Sequence, residues 1–203
     1  MTKAFDTFDT NEYCRDLVKQ DDRDRYLVSL FAPAAAQAGI WALFAFNQEV
    51  AKIRETVSEP MLGEIRLQWW LDVVQELAAG TVREKQPVIQ AMAAAQLPTD
   101  VFPLLEETIA ARKSELLGEG TAEIKGLQAY AVGAGGALHV AAAHVQCGDV
   151  SETGISGAGI SGAGVAVARH LGSAWAMLGL VRAIPFYWQS GQGKVGGADM
   201  AAA

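Results

Sequence analysis

The chain has 203 residues, 51% of them apolar and 19% charged, with a formal net charge of −7 and a mean hydropathy of +0.16. That balance can build a buried core and excludes a disordered chain; with Cys14 and Cys147 as its two cysteines it also excludes a disulfide scaffold. A pI near 5.0 leaves no excess of lysine and arginine to displace counterions from phosphate backbones, so no nucleic-acid partner is expected.

The opening segment, MTKAFDTFDTNEYC, is acidic and lacks the apolar stretch of a signal peptide, which points to a cytoplasmic chain with reduced thiols. A first helix is expected at about Asn11 to Gln20. Pro33 opens a second, with Ile40, Leu43, Phe44, Val50, Ile53 and Val57 on its apolar side, and Pro60 separates it from the next. From there Leu62, Ile65, Trp69, Val73 and Leu77 recur at helical spacing, with Trp70 and Val74 widening the stripe and Gly80 ending it. Both tryptophans are therefore expected in the core.

Further helices are expected at about Gln86 to Ala95, Asp100 to Leu117, Thr121 to Gln146 and Val165 to Tyr187, with Thr99 or Asp100 and Thr121 as N-caps. Gly126 to Gly148 carries no Asp, Glu, Lys or Arg, yet His139, His144, Gln128, Gln146 and several glycines fit a packed helix better than a membrane span. Histidines five residues apart lie on different helix faces, unlike a zinc pair, and are expected to be packed or at the surface. Cys147 is expected to be a small buried thiol.

Residues 153–164 hold ISGAG twice and read as a Gly-rich connection. Their formal GxGxxG, Gly157, Gly159 and Gly162, has no strand before it and no acidic residue after it until Asp199, which leaves the nucleotide motif incomplete. No stretch alternates at period two. The expectation is one all-α domain over residues 1–190 and a disordered tail over 191–203.

The block from Asp24 to Trp70 is the most specific. Tyr26, Ser29 to Phe31 and Pro33; Ala42, Leu43, Ala45 and Phe46; and Gly63, Glu64, Arg66, Leu67, Trp69 and Trp70 stand in order and spacing. In these residues the chain resembles the squalene/phytoene synthase family, and weaker echoes continue at Tyr130, Gly133 and the LGSAWAMLGLVRAIP stretch. The resemblance implies an isoprenoid-synthase-like helical bundle, C-terminally short, that joins two prenyl diphosphates.

Synthases of this family need two Asp-rich motifs, because Mg²⁺ held by carboxylates must bridge the diphosphate oxygens. By this resemblance the first motif falls on Ala51, Lys52 and Glu55, and the second on Gly179, Arg182 and Ala183. Lys52 lies three residues from Glu49 and from Glu55, so an ion pair on the helix face is expected there. After Glu152 the one remaining carboxylate side chain is Asp199. Asp21, Asp22, Asp24, Glu106 and Glu107 are expected to be solvated acidic faces. Gln37 stands where the family places an arginine four residues after the proline.

AFNQEVA, the following VSE and Arg182 with Pro185 are similar to the degenerate branch that contains the mitochondrial assembly factor for respiratory complex I. The implied chain has lost catalysis, uses no cofactor, and acts by binding protein or lipid, with peripheral contact at the inner membrane and homodimerisation as further expectations. The alternative is an active Mg-dependent prenyl transferase in isoprenoid biosynthesis. Candidate ligand- or partner-binding residues are Phe46, Asn47, Glu49, Arg66, Trp69, Trp70, Tyr130 and Arg182. Arg66 and Arg182 are weighed between a ligand anion and an ion pair with Glu49 or Glu64, since an arginine on an apolar helix requires an anionic partner.

Overall fold

The computed structural model describes residues 9–118, 123–148 and 160–189, with side chains to residue 183. Every regular element among them is helical. Asp9 caps α1 (Thr10–Asp21) by accepting from the backbone amides of Asn11 and Glu12 at 2.9 and 3.2 Å. One residue later Asp22 caps a short helix that the hydrophobic pattern does not announce, α2 (Arg23–Ser29), through the Arg25 amide at 3.1 Å. α3 (Ala34–Thr56) follows Pro33, and α4 (Pro60–Ala78) has Pro60 at its first position, where a missing N–H costs nothing. Gly80 adopts φ +67, the left-handed geometry that ends a helix cheaply only without a Cβ.

α3 is the central rod, flanked by α1, α4, α5 (Pro87–Ala94) and α8 (Ala137–Cys147). Leu43, Phe46 and Val50 are buried along it, and each such side chain contributes about 1.5–3 kcal/mol of transfer free energy. α6 (Val101–Leu116) packs on α4 and α8. Asp100 occupies its N-cap position without a side-chain bond.

α4 corrects the expected stripe. Its buried face is Gly63, Leu67, Trp70, Val73, Val74 and Leu77, while Leu62, Ile65 and Trp69 stand exposed. Gly63 sets this rotation: a Cβ there would lie 2.5 Å from Leu116 Cδ2, so α6 approaches closely at the glycine.

The helix expected over Thr121 to Gln146 is a composite. α7 (Ile124–Ala131) leads into a π-helical turn, Val132–Gly136, and then into α8. Its N-cap position is Glu123, and Thr121 lies outside the described residues. α9 (Gly162–Gln189) starts inside the segment read as a Gly-rich connection; residues 153–159 of that segment and the tail 191–203 lie outside the described residues. α9 crosses the π turn and α8. Its stretch Gly162–Ala183 is long and apolar enough, at mean hydropathy 1.2, to cross a membrane by length and composition, and 6% of it is buried.

Candidate functional site

α2, α3, α6, the π turn and α9 enclose a cavity of about 310 Å³. The π turn brings α9 close. A Cβ on Gly135 would lie 2.6 Å from Ala176 Cβ, and one on Gly172 would lie 2.7 Å from His139 Nδ1, so only glycine permits this crossing. π turns recur at functional sites because they displace one residue from the helical register. Here that shift places Ala134 and Gly135 on the cavity wall.

Opposite stands Arg25, 9% exposed. Its Nη1 donates to Asp22 Oδ2 at 2.7 Å, and its guanidinium carbon lies 5.5 Å from the Phe44 ring centroid and 5.6 Å from that of Trp175. Burial lowers the Arg25 pKa, and Arg112 lowers it further against the pull of Asp22. Among the described residues Arg25 Nε has no acceptor and Asn47 Oδ1 no donor, although Asn47 is 4% exposed. A buried polar atom left this way costs about 1–3 kcal/mol.

A second cluster faces the same space. Glu115 accepts from Arg54 Nη1 at 2.6 Å and from Arg112 Nη1 at 3.2 Å, and Arg112 also donates to the Tyr130 hydroxyl. At the rim Arg182 meets Asp24 at 3.5 Å, both exposed. The chemistry offered is that of guanidinium donors and the amides of Asn47 and Gln48, with apolar side chains from Ala134, Ala176 and Leu180.

Of the candidate residues, Asn47, Tyr130 and Arg182 line this cavity, joined by Ala51, Gly179 and Ala183 from the two degenerate motifs. The others do not. Phe46 is fully buried, edge-on to Trp70 with ring centroids 5.4 Å apart. Trp69 is on the surface, 38% exposed, so only Trp70 is a core residue. Arg66 is exposed and donates to Thr56 Oγ1 at 3.0 Å, which replaces the pairing expected with Glu49 or Glu64; Glu64 instead meets Lys113 at 3.5 Å. Lys52 pairs across to Asp21 at 2.7 Å in place of the neighbours expected on its own helix, and Glu55 is exposed. Asp22, read as solvated, is half-buried and paired. Cys147 is exposed, not buried. His139 is half-buried, with Nδ1 2.9 Å from the Gly135 carbonyl oxygen. Gln37 donates to the Ala32 carbonyl at 3.1 Å.

Arg25, Arg112, Glu115 and Trp175 were not among the sequence candidates. Arg25 sits in DDRDR, which reads as a surface charge run, and its depth follows from where α2 lies on α3. The i,i+3 spacing of Arg112 and Glu115 was a signal that could have found that pair.

An all-α bundle around a cavity between facing helices defines an isoprenoid-synthase-like fold. A crystal structure of a dehydrosqualene synthase in complex with ligand superposes with a TM-score of 0.69 and 16% identity, covering 90% of this chain and 59% of that one. The family model for squalene/phytoene synthase matches residues 18–193, and the chain belongs to that family. Among curated proteins it is similar to human NADH dehydrogenase (ubiquinone) complex I, assembly factor 6, at 30% identity over 60% of this chain and 37% of that protein. The bovine protein of the same name is 40% identical over 34% of this chain and 20% of its own length, and a Drosophila melanogaster homolog is 30% identical over 39% and 25%. The chain thus spans little more than a third, or less, of these curated relatives.

Synthases of the family hold Mg²⁺ on carboxylates, and the residues present here do not fit that ion. Ala51 and Gly179 bring no side-chain oxygen to the cavity, and Asp22, Asp24 and Glu115 each already face a guanidinium within 2.7, 3.5 and 2.6 Å. A divalent cation needs several oxygens free of competing cations. Among the described residues no group of three or more His, Cys, Asp or Glu is placed to share a metal ion.

Proposed function

We propose that this chain is a non-catalytic member of the squalene/phytoene synthase family that acts by binding a protein partner or lipid in the assembly of respiratory NADH dehydrogenase, independently of Mg²⁺. One observation carries the reading: the carboxylates of the cavity are neutralised by arginines, while the motif positions on its wall are Ala51, Gly179, Arg182 and Ala183, none of them a carboxylate. A diphosphate brought there meets no magnesium to make it a leaving group. The names of the human, bovine and Drosophila relatives support the assembly role.

Docking has a surface to use. Val167, Leu171 and Val181 on α9 are each at least 60% exposed, and Val28 on α2 and Phe31 just after it stand out at 65% and 91%. Apolar side chains presented in such numbers mark contact surfaces. The place of action is the cytoplasmic face of the inner membrane, reached peripherally, and a second copy of the chain is an alternative occupant of the α9 face.

The test is pyrophosphate release from farnesyl or geranylgeranyl diphosphate with Mg²⁺, run beside a cross-linked pull-down from host membranes scored for NADH dehydrogenase subunits. No release above background and recovery of those subunits are expected. Release that follows enzyme concentration overturns the non-catalytic reading. Flotation with vesicles and light scattering separate membrane contact from dimerisation.

A further inference from the structure

The bend that joins α2 to α3 carries apolar side chains that the fold does not bury. Leu27, Val28, Leu30 and Phe31 are 45%, 65%, 45% and 91% exposed, and Pro33, Ala34 and Ala35 beyond them are exposed as well. From Tyr26 to Gln48 the sequence holds no Asp, Glu, Lys or Arg. The neutral Gln37 donates through Nε2 to the Ala32 and Leu30 carbonyls at 3.1 and 3.4 Å. The amides of Phe31 and Ala32 donate to the Val28 and Ser29 carbonyls, the Ser29 hydroxyl to the Tyr26 carbonyl, and Trp41 Nε1 to Ser29 Oγ at 2.8 Å. A bend so paired within itself asks for few hydrogen bonds from its surroundings. Hydrocarbon imposes that condition, whereas a protein interface supplies a polar rim.

Charge is arranged behind the tip. On α2, Arg23 lies one turn before Leu27, about 6 Å along the axis, and Lys19 Nζ stands 5.9 Å from the Tyr26 ring centroid. The nearby carboxylates are already matched, Asp21 by Lys52, Asp22 by Arg25 and Asp24 by Arg182. Lys19 and Arg23 are exposed, and among the described residues no carboxylate pairs with either. Unmatched cations behind an uncharged apolar tip complement anionic headgroups lying over hydrocarbon.

We propose that this bend docks the chain on a lipid bilayer: Leu27, Val28, Leu30 and Phe31 enter the acyl boundary of one leaflet, and Lys19 and Arg23 meet its phosphates. The inference rests on the peripheral membrane contact proposed above and assigns that contact to the α2–α3 bend, not to the α9 face. Interfacial segments sit roughly 5–10 Å deep, a depth that one turn beyond Arg23 begins to reach.

The experiment is flotation of the purified full chain with protein-free vesicles of phosphatidylcholine, alone or mixed with phosphatidylglycerol. Flotation with both, severalfold stronger with phosphatidylglycerol and reduced by salt, is expected. Phe31→Asp weakens it at least about tenfold and, at so exposed a position, leaves the melting temperature unchanged. Lys19→Gln combined with Arg23→Gln removes the preference for phosphatidylglycerol and keeps binding to phosphatidylcholine. In Phe31→Trp, acyl-brominated lipid quenches emission beyond that lost by the unsubstituted chain. Undiminished flotation of Phe31→Asp overturns the inference and leaves peripheral contact standing, and loss in Leu171→Asp then places that contact on α9. Flotation with neither vesicle overturns the inference together with the membrane contact, while absent pyrophosphate release still upholds the non-catalytic reading. NADH dehydrogenase subunits recovered through Phe31 without vesicle binding make the bend a protein contact and overturn the inference.

Discussion

Arg54 of α3 and Glu115 of α6, separated by 61 positions in sequence, meet at 2.6 Å with the carboxylate 7% exposed. Glu115 also holds Arg112, so one carboxylate keeps two guanidiniums from facing each other uncompensated. Glu115→Gln is expected to lower unfolding stability by about 2–3 kcal/mol, since removing one member of a buried charge group leaves the rest desolvated. Arg182→Gln, at an exposed pair, changes it by less than about 0.5 kcal/mol. Urea denaturation of the two variants checks the contrast.

The crossing of α9 over the π turn sets packing against helix propensity. Gly→Ala inside a helix gains about 1 kcal/mol where nothing obstructs the methyl. At Gly179 nothing lies within 4 Å, and Gly179→Ala is expected to raise the melting temperature slightly. At Gly135 the added carbon would meet Ala176 Cβ at 2.6 Å and the Gly172 backbone, so Gly135→Ala is expected to lose about 1–3 kcal/mol net. Equal effects at the two positions would contradict the crossing.

His139 sits between Phe44 and Trp175, with ring centroids 6.4 and 6.3 Å away, and burial followed by the nearby Arg25 charge lowers its pKa. The unfolded chain therefore takes up this proton first as pH falls below the ordinary imidazole value of about 6.5. With more protons on the unfolded state, stability rises with pH in that window and falls as the solution is acidified. His139→Gln is expected to flatten this part of the stability profile, measured by urea unfolding between about pH 7.5 and pH 5.5.

Cys14 is buried and Cys147 exposed. Burial, and behind it the charge of Glu49, pushes the Cys14 thiol up to about 12, which leaves almost no thiolate at neutral pH. A thiol reagent at about pH 8 is expected to modify one cysteine per folded chain, at Cys147, and both after denaturation.

The helices of α3 and α4 were legible because apolar residues recur there at helical spacing and prolines divide them. The rotation of α4 was not, since Leu62, Ile65 and Trp69 satisfy the same period as the true face; close approach at Gly63 decides between them, and that contact with Leu116 is non-local. The absence of aspartate at the motif positions was equally plain from Ala51 and Gly179, which carry no side-chain oxygen. What replaced them was hidden. Arg25 and Asp22 look like neighbours in a solvated run until α2 is laid on α3, and Arg54 meets Glu115 across 61 positions of sequence.

The guanidiniums around the cavity also act as a ratchet. An aspartate placed at position 51 would enter a hollow lined by Arg25 and Arg112 and be captured by a neighbouring guanidinium before magnesium could claim it. Building the family's Mg²⁺ site here would therefore demand that several arginines leave as carboxylates arrive, and each step taken alone strands a buried charge.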